Sequence, residues 1–245
     1  MKAIIIDDEI LARSLIKEYL VNYPKIEVVQ ECEDGFEGIK AIQLHQPDLI
    51  FLDIQMPKIN GFEMLELIDQ PISVIFTTAF EEYAMKAFES QAIDYLLKPF
   101  SKERFDKAIQ KWQLQSPLER KTGTQNILNI VTNNPIQQKR VVVKDNTKIK
   151  IIPTANIQYL EAADDYVKIH TSDGVYLKNK TMGYFEETLE SQNFIRIHRS
   201  FIVNLQLITR IDPYEKENHL AVLSIGIKLP VSKTGYAKLK QALGI

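Results

Sequence analysis

Short apolar runs alternate with stretches of helical spacing through the first half of the chain. Strands are predicted over 3–6, 26–29, 49–52, 74–76 and 95–97, each too short for a core helix and apolar enough to be buried on both faces. Between them, Leu11, Leu15, Ile16 and Tyr19 recur at helical spacing within 9–21, and further helices fit 35–45, 61–68, 81–89 and 101–113. Ser101 stands where an N-cap belongs, with Glu103 and Arg104 behind it. Strands alternating with helices predict repeated β-α units and a doubly wound five-stranded parallel sheet.

After residue 116 the rhythm is lost. Pro117, Gly123 and Pro135 bracket a Thr-, Gln- and Asn-rich stretch, read as a linker over 117–135 between domains at 1–116 and 136–245. From Lys139 onward the texture is short alternating segments with turn signals. Residues 140–144 and 148–152 flank Asp145-Asn146 as a hairpin. Strands also fit 157–161, 166–171, 175–177, 202–204, 208–211, 220–224 and 228–229, with helices at 182–189 and 233–243. This half is mainly β.

The length of 245 residues suits two ordinary domains, each able to bury a core. The first apolar run breaks at Asp7, too early for a signal peptide, and no run approaches the roughly 18 apolar residues of a membrane helix. Cys32 is the single cysteine, which excludes an intramolecular disulfide and fits a reducing cytoplasm. The net charge of −2 hides a division: residues 1–116 carry 12 Lys or Arg against 20 Asp or Glu, and residues 117–245 carry 18 against 12. An acidic module is thus joined to a basic one suited to a polyanionic partner, although a basic surface is often only a solvated face.

The candidate chemistry lies where the apolar runs of the first half end. The run at 49–52 ends in Asp53; the others end in Asp7-Asp8, Thr77-Thr78 and Lys98-Pro99. Taken singly, Asp53 reads most simply as the cap of the next helix. Taken together, parallel strands would gather three carboxylates, a hydroxyl and an ammonium at one sheet edge, where such folds bind ligands. Crowded carboxylates take up protons unless a cation neutralises them, and a hard divalent ion such as Mg2+ answers that need while bridging to phosphate. A phosphoryl group on Asp53 would meet the metal, Lys98 and Thr78, the stabilising set an acyl phosphate requires.

With these motifs, residues 1 to about 115 resemble the receiver domain of two-component response regulators, a flavodoxin-like α/β fold. The resemblance rests on Asp7-Asp8, Asp53 followed by Met56-Pro57 and Gly61, Thr78-Ala79, and Lys98-Pro99. It implies phosphorylation of Asp53 by a sensor histidine kinase and Mg2+ held by Asp8, Asp53 and the Gln55 carbonyl, with Asp7 acting through water. It also implies that Thr78 turns toward the phosphate, that Tyr95 changes rotamer, and that the Lys98-Pro99 bond is cis. Phe80 and Gln55 flank the site and would tune phosphate lifetime.

In the second half, a helix laid in a DNA groove is the usual first expectation. The helix at 182–189 carries Glu186 and Glu187, with Glu190 just beyond, and would be repelled by phosphates; the helix at 233–243 is basic but lacks a partner helix before it. Readout by loops or strand ends fits better. Asp164-Asp165-Tyr166 with Lys168, then Arg196, His198, Arg199 and Ser200, then Lys216, then Ser232-Lys233 supply the Arg, Lys and hydroxyl groups that base edges and phosphates need. For Arg196 the alternation favours a stem packed on the sheet.

Residues 136–245 resemble a LytTR-type DNA-binding domain. The motifs are Tyr159-Leu160-Glu161-Ala162, residues 165–170, the block from Phe194 through His198-Arg199-Ser200 to Val203-Asn204, and residues 229–233. The resemblance implies loops entering successive major grooves, with contacts from Tyr166, Arg199 and Lys233, and secondarily Lys168, His198 and Lys216. It also implies two copies bound to a repeated site. The whole chain therefore reads as a cytoplasmic, non-enzymatic transcriptional regulator with a histidine kinase and promoter DNA as partners, a homodimer when active, without membrane or small-molecule substrate. Two alternatives stay open for the basic half: an enzyme, for which no nucleophile elbow or metal-spaced cluster is present, and a module that docks protein or RNA.

Overall fold

In a computed structural model of the chain, β1 (Lys2–Ile6), β2 (Glu27–Cys32), β3 (Leu49–Asp53), β4 (Ser73–Thr78) and β5 (Asp94–Leu97) pair in parallel in the order β2-β1-β3-β4-β5. The structure describes residues 1–68, 70–79, 94–115, 140–145, 148–189, 193–214 and 218–244. Two compact units, Met1–Val131 and Thr132–Ile245, divide the chain. The predicted helix at 81–89 and the predicted linker lie outside the described residues.

Helices α1 (Ile10–Leu20), α2 (Gly35–His45), α3 (Gly61–Leu65) and α4 (Lys102–Leu114) serve this sheet. Alternate strand residues go to opposite faces: Ala3, Ile5, Leu49, Phe51, Ile75 and Leu96 join Ile16 and Leu20 of α1 and Phe105, Ala108, Ile109 and Trp112 of α4 in one core. Ile4, Ile6, Ile50 and Leu52 are equally buried on the other side, which is why these runs are unbroken rather than alternating. Ser101 caps α4 as expected, accepting from Arg104 N at 3.2 Å, and Asp34 caps α2 by accepting from Phe36 N and Glu37 N at 2.9 and 3.0 Å.

In the first unit two elements end three residues away from expectation. Strand β2 continues past Val29 to Cys32, because it is a sheet edge and can carry Gln30 and Glu31 without burying them fully. Helix α3 closes at Leu65 instead of reaching Ile68; its start is fixed by a capping box in which Asn60 and Glu63 each accept from the other's backbone.

In the second unit, β6 (Arg140–Asp145) and β7 (Lys148–Pro153) form the expected hairpin. Strands β8 (Ile157–Ala163), β9 (Tyr166–Thr171), β10 (Gly174–Lys178), β11 (Phe194–His198) and β12 (Phe201–Asn204) build an antiparallel sheet in the order β10-β9-β8-β12-β11. Strands β13 (Ile208–Tyr214), β14 (Asn218–Leu223) and β15 (Lys228–Val231) form a second sheet. Helices α5 (Met182–Leu189) and α6 (Lys233–Leu243) complete the unit.

The five-stranded sheet is buried on both faces. Leu160, Val167, Ile169 and Ile202 pack with Val141, Val143 and Phe185, whereas Tyr159, Ile197 and Val203 pack with Ala221, Leu223, Val231 and Leu239. Strand β11 was not expected. Its side chains alternate regularly, Phe194 joining one core and Ile195 and Ile197 the other, and a register shift between Arg196 and His198 interrupts its pairing with β12.

Candidate phosphoacceptor site and nucleic-acid interface

Parallel pairing carries the four strand ends to one edge. Asp53 is the last residue of β3 and pairs with Thr77 of β4; Thr78 pairs with Leu97 of β5, one residue before Lys98. One oxygen each from Asp7, Asp8 and Asp53 lies within 4.8 Å of the others. Lys98 Nζ reaches into them, 2.8 Å from Asp7 Oδ2 and 3.3 Å from Asp53 Oδ2, with Glu9 Oε2 at 3.1 Å on the solvent side.

The loop after β3 is held tightly. Gln55 N donates to Asp53 Oδ1 at 3.3 Å, and Gly61 N donates to Ile54 O at 2.9 Å. Gly61 is required by close approach: a Cβ there would overlap the Asp53 carbonyl oxygen. The Lys98-Pro99 bond is cis and Lys98 N donates to Thr78 O at 2.7 Å.

Charge and burial conflict at this edge. Burial pushes Asp53 up to about 7; Lys98 pulls it down and Asp7 adds to the rise. Asp7, fully buried, is likewise raised by burial against the pull of Lys98. Lys98 is held above its usual range, its own burial being outweighed by Asp7 and Asp53. Three oxygens from carboxylates with one ammonium leave net negative charge in a half-dry setting, a donor set that fits a hard divalent cation.

Thr78 and Tyr95 are both buried, Tyr95 on β5 beside Phe76. Thr77, read from the sequence only as the end of an apolar run, donates from Oγ1 to Asp7 Oδ2 at 3.4 Å. Two groups were not singled out from the sequence. Glu9 is the third partner of Lys98. Arg13, 5% exposed, donates from Nη1 to the Asp7 carbonyl at 2.6 Å and pairs with Glu33 at 3.2 Å and Glu31 at 3.5 Å. Its signal was its place on the inward face of α1, three and seven residues before Ile16 and Leu20.

In the second unit the turns at Asp164-Asp165 and Arg199-Ser200 share one sheet end: Ala163 pairs with Tyr166, and Ala162 N donates to Ser200 O at 2.9 Å. The start of α6 joins them, since Ser232 N donates to Ile197 O at 2.9 Å. Tyr166, Arg199 and Lys233 are exposed there. Lys168 sits 3.7 Å from Glu161. His198 is half-buried, its Nδ1 accepting from Ser200 N at 3.2 Å; burial and then Arg199 hold it below the usual imidazole range. Arg196 lies along the sheet, paired with Glu186 at 2.8 Å. Lys216 and Phe80 lie outside the described residues.

The response regulator receiver domain family matches residues 3–110, and the LytTr DNA-binding domain family matches residues 147–244. Over their full lengths, three characterised proteins are similar to the chain at 32% identity, covering 100% of both sequences. They are the sensory transduction protein LytT of Bacillus cereus, the transcriptional regulatory protein LytR of Staphylococcus aureus and the transcriptional regulatory protein BtsR of Escherichia coli. The chain belongs to the LytTR response regulators. As a member of that family it is a DNA-binding regulator of the two-component type, with a receiver domain and a LytTR domain. The doubly wound sheet and the mainly β second unit are the two folds this LytTR regulator requires. Among its described residues no helix is long and apolar enough to cross a membrane.

Proposed function

We propose that this regulator takes a phosphoryl group from a sensor histidine kinase onto Asp53, and that the phosphorylated form binds promoter DNA as a homodimer. The observation that carries the reading is the cluster of Asp7, Asp8 and Asp53 oxygens within 4.8 Å of one another, with Lys98 Nζ 3.3 Å from Asp53 Oδ2. An Asp53 oxygen forms a bond to phosphorus as the P–N bond of a phosphohistidine breaks, and the departing imidazole takes up a proton. Asp8, Asp53 and the Gln55 carbonyl would hold Mg2+, with Asp7 acting through water, and the bound ion would neutralise the carboxylates and the incoming phosphate charge.

Lys98 then exchanges its bond to Asp53 for one to a phosphoryl oxygen. Thr78 turns toward the phosphate and Tyr95 changes rotamer, and the receiver surface favours self-association. Base edges are read by Arg199, with Tyr166 and Lys233; Lys168, His198 and Lys216 hold phosphates. The exposure of Tyr166, Arg199 and Lys233 at one sheet end, in a half that carries 18 cationic against 12 acidic residues, supports this arrangement.

The test is labelling with radioactive acetyl phosphate in Mg2+. Wild-type protein takes up label that hydroxylamine removes, and Asp53→Asn takes up none. Hydroxylamine-resistant label on Asp53→Asn at the wild-type level overturns the reading.

A further inference from the structure

Helix α5 carries Glu186 and Glu187, acids that the phosphates of DNA would repel. Yet Glu186 points into the unit and holds two cations from two other elements. Its Oε2 pairs with Arg196 Nη1 of β11 at 2.8 Å, and its Oε1 with Lys238 Nζ of α6 at 2.7 Å. Burial raises this carboxyl, and the two cations outweigh the burial and hold it below its usual range.

The other arm of the Arg196 guanidinium makes this arrangement more than a surface ion pair. Nη2 donates to the Arg199 carbonyl at 3.1 Å, so one planar group joins Glu186 to the backbone of the β11–β12 turn. The start of α6 is fixed to the same strand. Ser232 Oγ accepts from Gly235 N at 3.0 Å and donates to Ile197 O at 3.2 Å, and a Cβ on Gly235 would overlap that carbonyl. Two clefts, lined on both sides by Glu186, Arg196 and Lys238, flank the cluster. Ser200 is held by Ala162 N and by His198 Nδ1, and the Arg199 carbonyl is held by Arg196 Nη2, with open space beside it.

We infer that Glu186 is a positioning residue for DNA readout: through Arg196 it fixes the backbone that presents Arg199, and through Lys238 it sets the start of α6, with Lys233, against that turn. This rests on the reading that Arg199 contacts base edges. A base-reading side chain discriminates only if its backbone is fixed, because a mobile turn lets a guanidinium find phosphates on any sequence. Loss of Glu186 then costs discrimination and leaves general affinity for DNA, since the acid itself touches no DNA and its removal makes the surface more positive.

The test uses the full chain and two duplexes, one selected by the wild-type protein from a random pool and one of scrambled sequence, titrated at several salt concentrations. For Glu186→Gln, the ratio of scrambled to selected Kd falls about tenfold, the size of one lost base contact, while scrambled-duplex affinity stays within about twofold. Arg196→Lys, which keeps the charge and loses the fork, falls likewise. Without DNA, hydrogen exchange at the Ser200 amide accelerates in both. An unchanged ratio, or an equal loss on both duplexes, overturns the inference, as does unaltered Ser200 exchange. Arg199→Ala separates the two claims: if it keeps full discrimination, the base-reading assignment fails and the inference falls with it. If Arg199→Ala loses discrimination and Glu186→Gln does not, only the inference falls. Should Glu186→Gln not fold, Arg196→Lys and Lys238→Met carry the same readouts.

Discussion

Replacing Arg13 with Met tests whether the Asp7-Asp8 turn is held from beneath. The guanidinium is buried against the Asp7 carbonyl at 2.6 Å and otherwise meets Glu33 and Glu31, whose side chains are 72% and 33% exposed. The exposed carboxylates regain water when Arg13 is lost, so those pairs contribute little. The Asp7 carbonyl does not, and a charge-assisted bond to a buried acceptor is worth about 1.5–3 kcal/mol. Methionine fills much of the stem volume, so no large cavity adds to that. The expected loss is about 2 kcal/mol, a fall of about 1 M in urea midpoint for a slope near 2 kcal/mol per M. Trp112, the single tryptophan, lies fully buried in the receiver core and reports this unit alone by its fluorescence. Mg2+ affinity should fall as well, since the turn carrying Asp8 loses its anchor. An unchanged midpoint together with unchanged Mg2+ affinity, measured by calorimetry, would refute the reasoning.

Gly61→Ala drives a methyl into the Asp53 carbonyl and should cost about 1–3 kcal/mol in the same urea assay; a cost below about 0.5 kcal/mol would mean the loop shifts freely. Because burial raises Asp53 to about 7, the folded state holds a proton that the unfolded chain releases near its usual carboxylate value. The Asp53 contribution to stability is therefore lost as pH rises from about 4 to about 7 and is level above that. Metal-free protein should show this downward slope, and Asp53→Asn should flatten it; an identical slope in the variant rejects the assignment. Burial, reinforced by Glu37 and Asp34, pushes the Cys32 thiol up to about 12. Native protein at pH 8 should accordingly leave a disulfide reagent unreacted until urea unfolds the receiver, and rapid stoichiometric reaction would contradict the burial.

The receiver edge was legible because parallel strands of similar length must end on the same side, so a polar residue after each apolar run is already a spatial statement. Asp7, Asp53, the Thr77-Thr78 pair and Lys98 followed from that rule alone. Arg13 did not. Periodicity reads a charged residue in an amphipathic helix as surface, and only its phase with Ile16 and Leu20 marks it as inward. In the second unit β11 was not assigned although its residues alternate, Ile195 and Ile197 facing one core and Phe194 the other; the run is only five residues long and leads directly into the polar His198-Arg199-Ser200 block. The site residues on that strand were visible as a motif before the strand itself was visible as structure.

Charge counting met its limit in the same place. Taken as a surface, the acids of α5 argue against nucleic acid nearby, since a helix bearing Glu186 and Glu187 would be repelled by phosphates. In the fold, Glu186 is paired with Arg196 and Lys238, so its field beyond that cluster is largely cancelled. Net charge along a sequence sums such internal pairs together with groups that face a partner. For a polyanion-binding domain the informative quantity is the cationic charge left after internal pairing. Arg196 and Lys238 are partly used up by that pairing, while Arg199 stands exposed at the end of the sheet. Discrimination between DNA sequences should therefore respond to Glu186, and salt dependence should respond to the exposed cations.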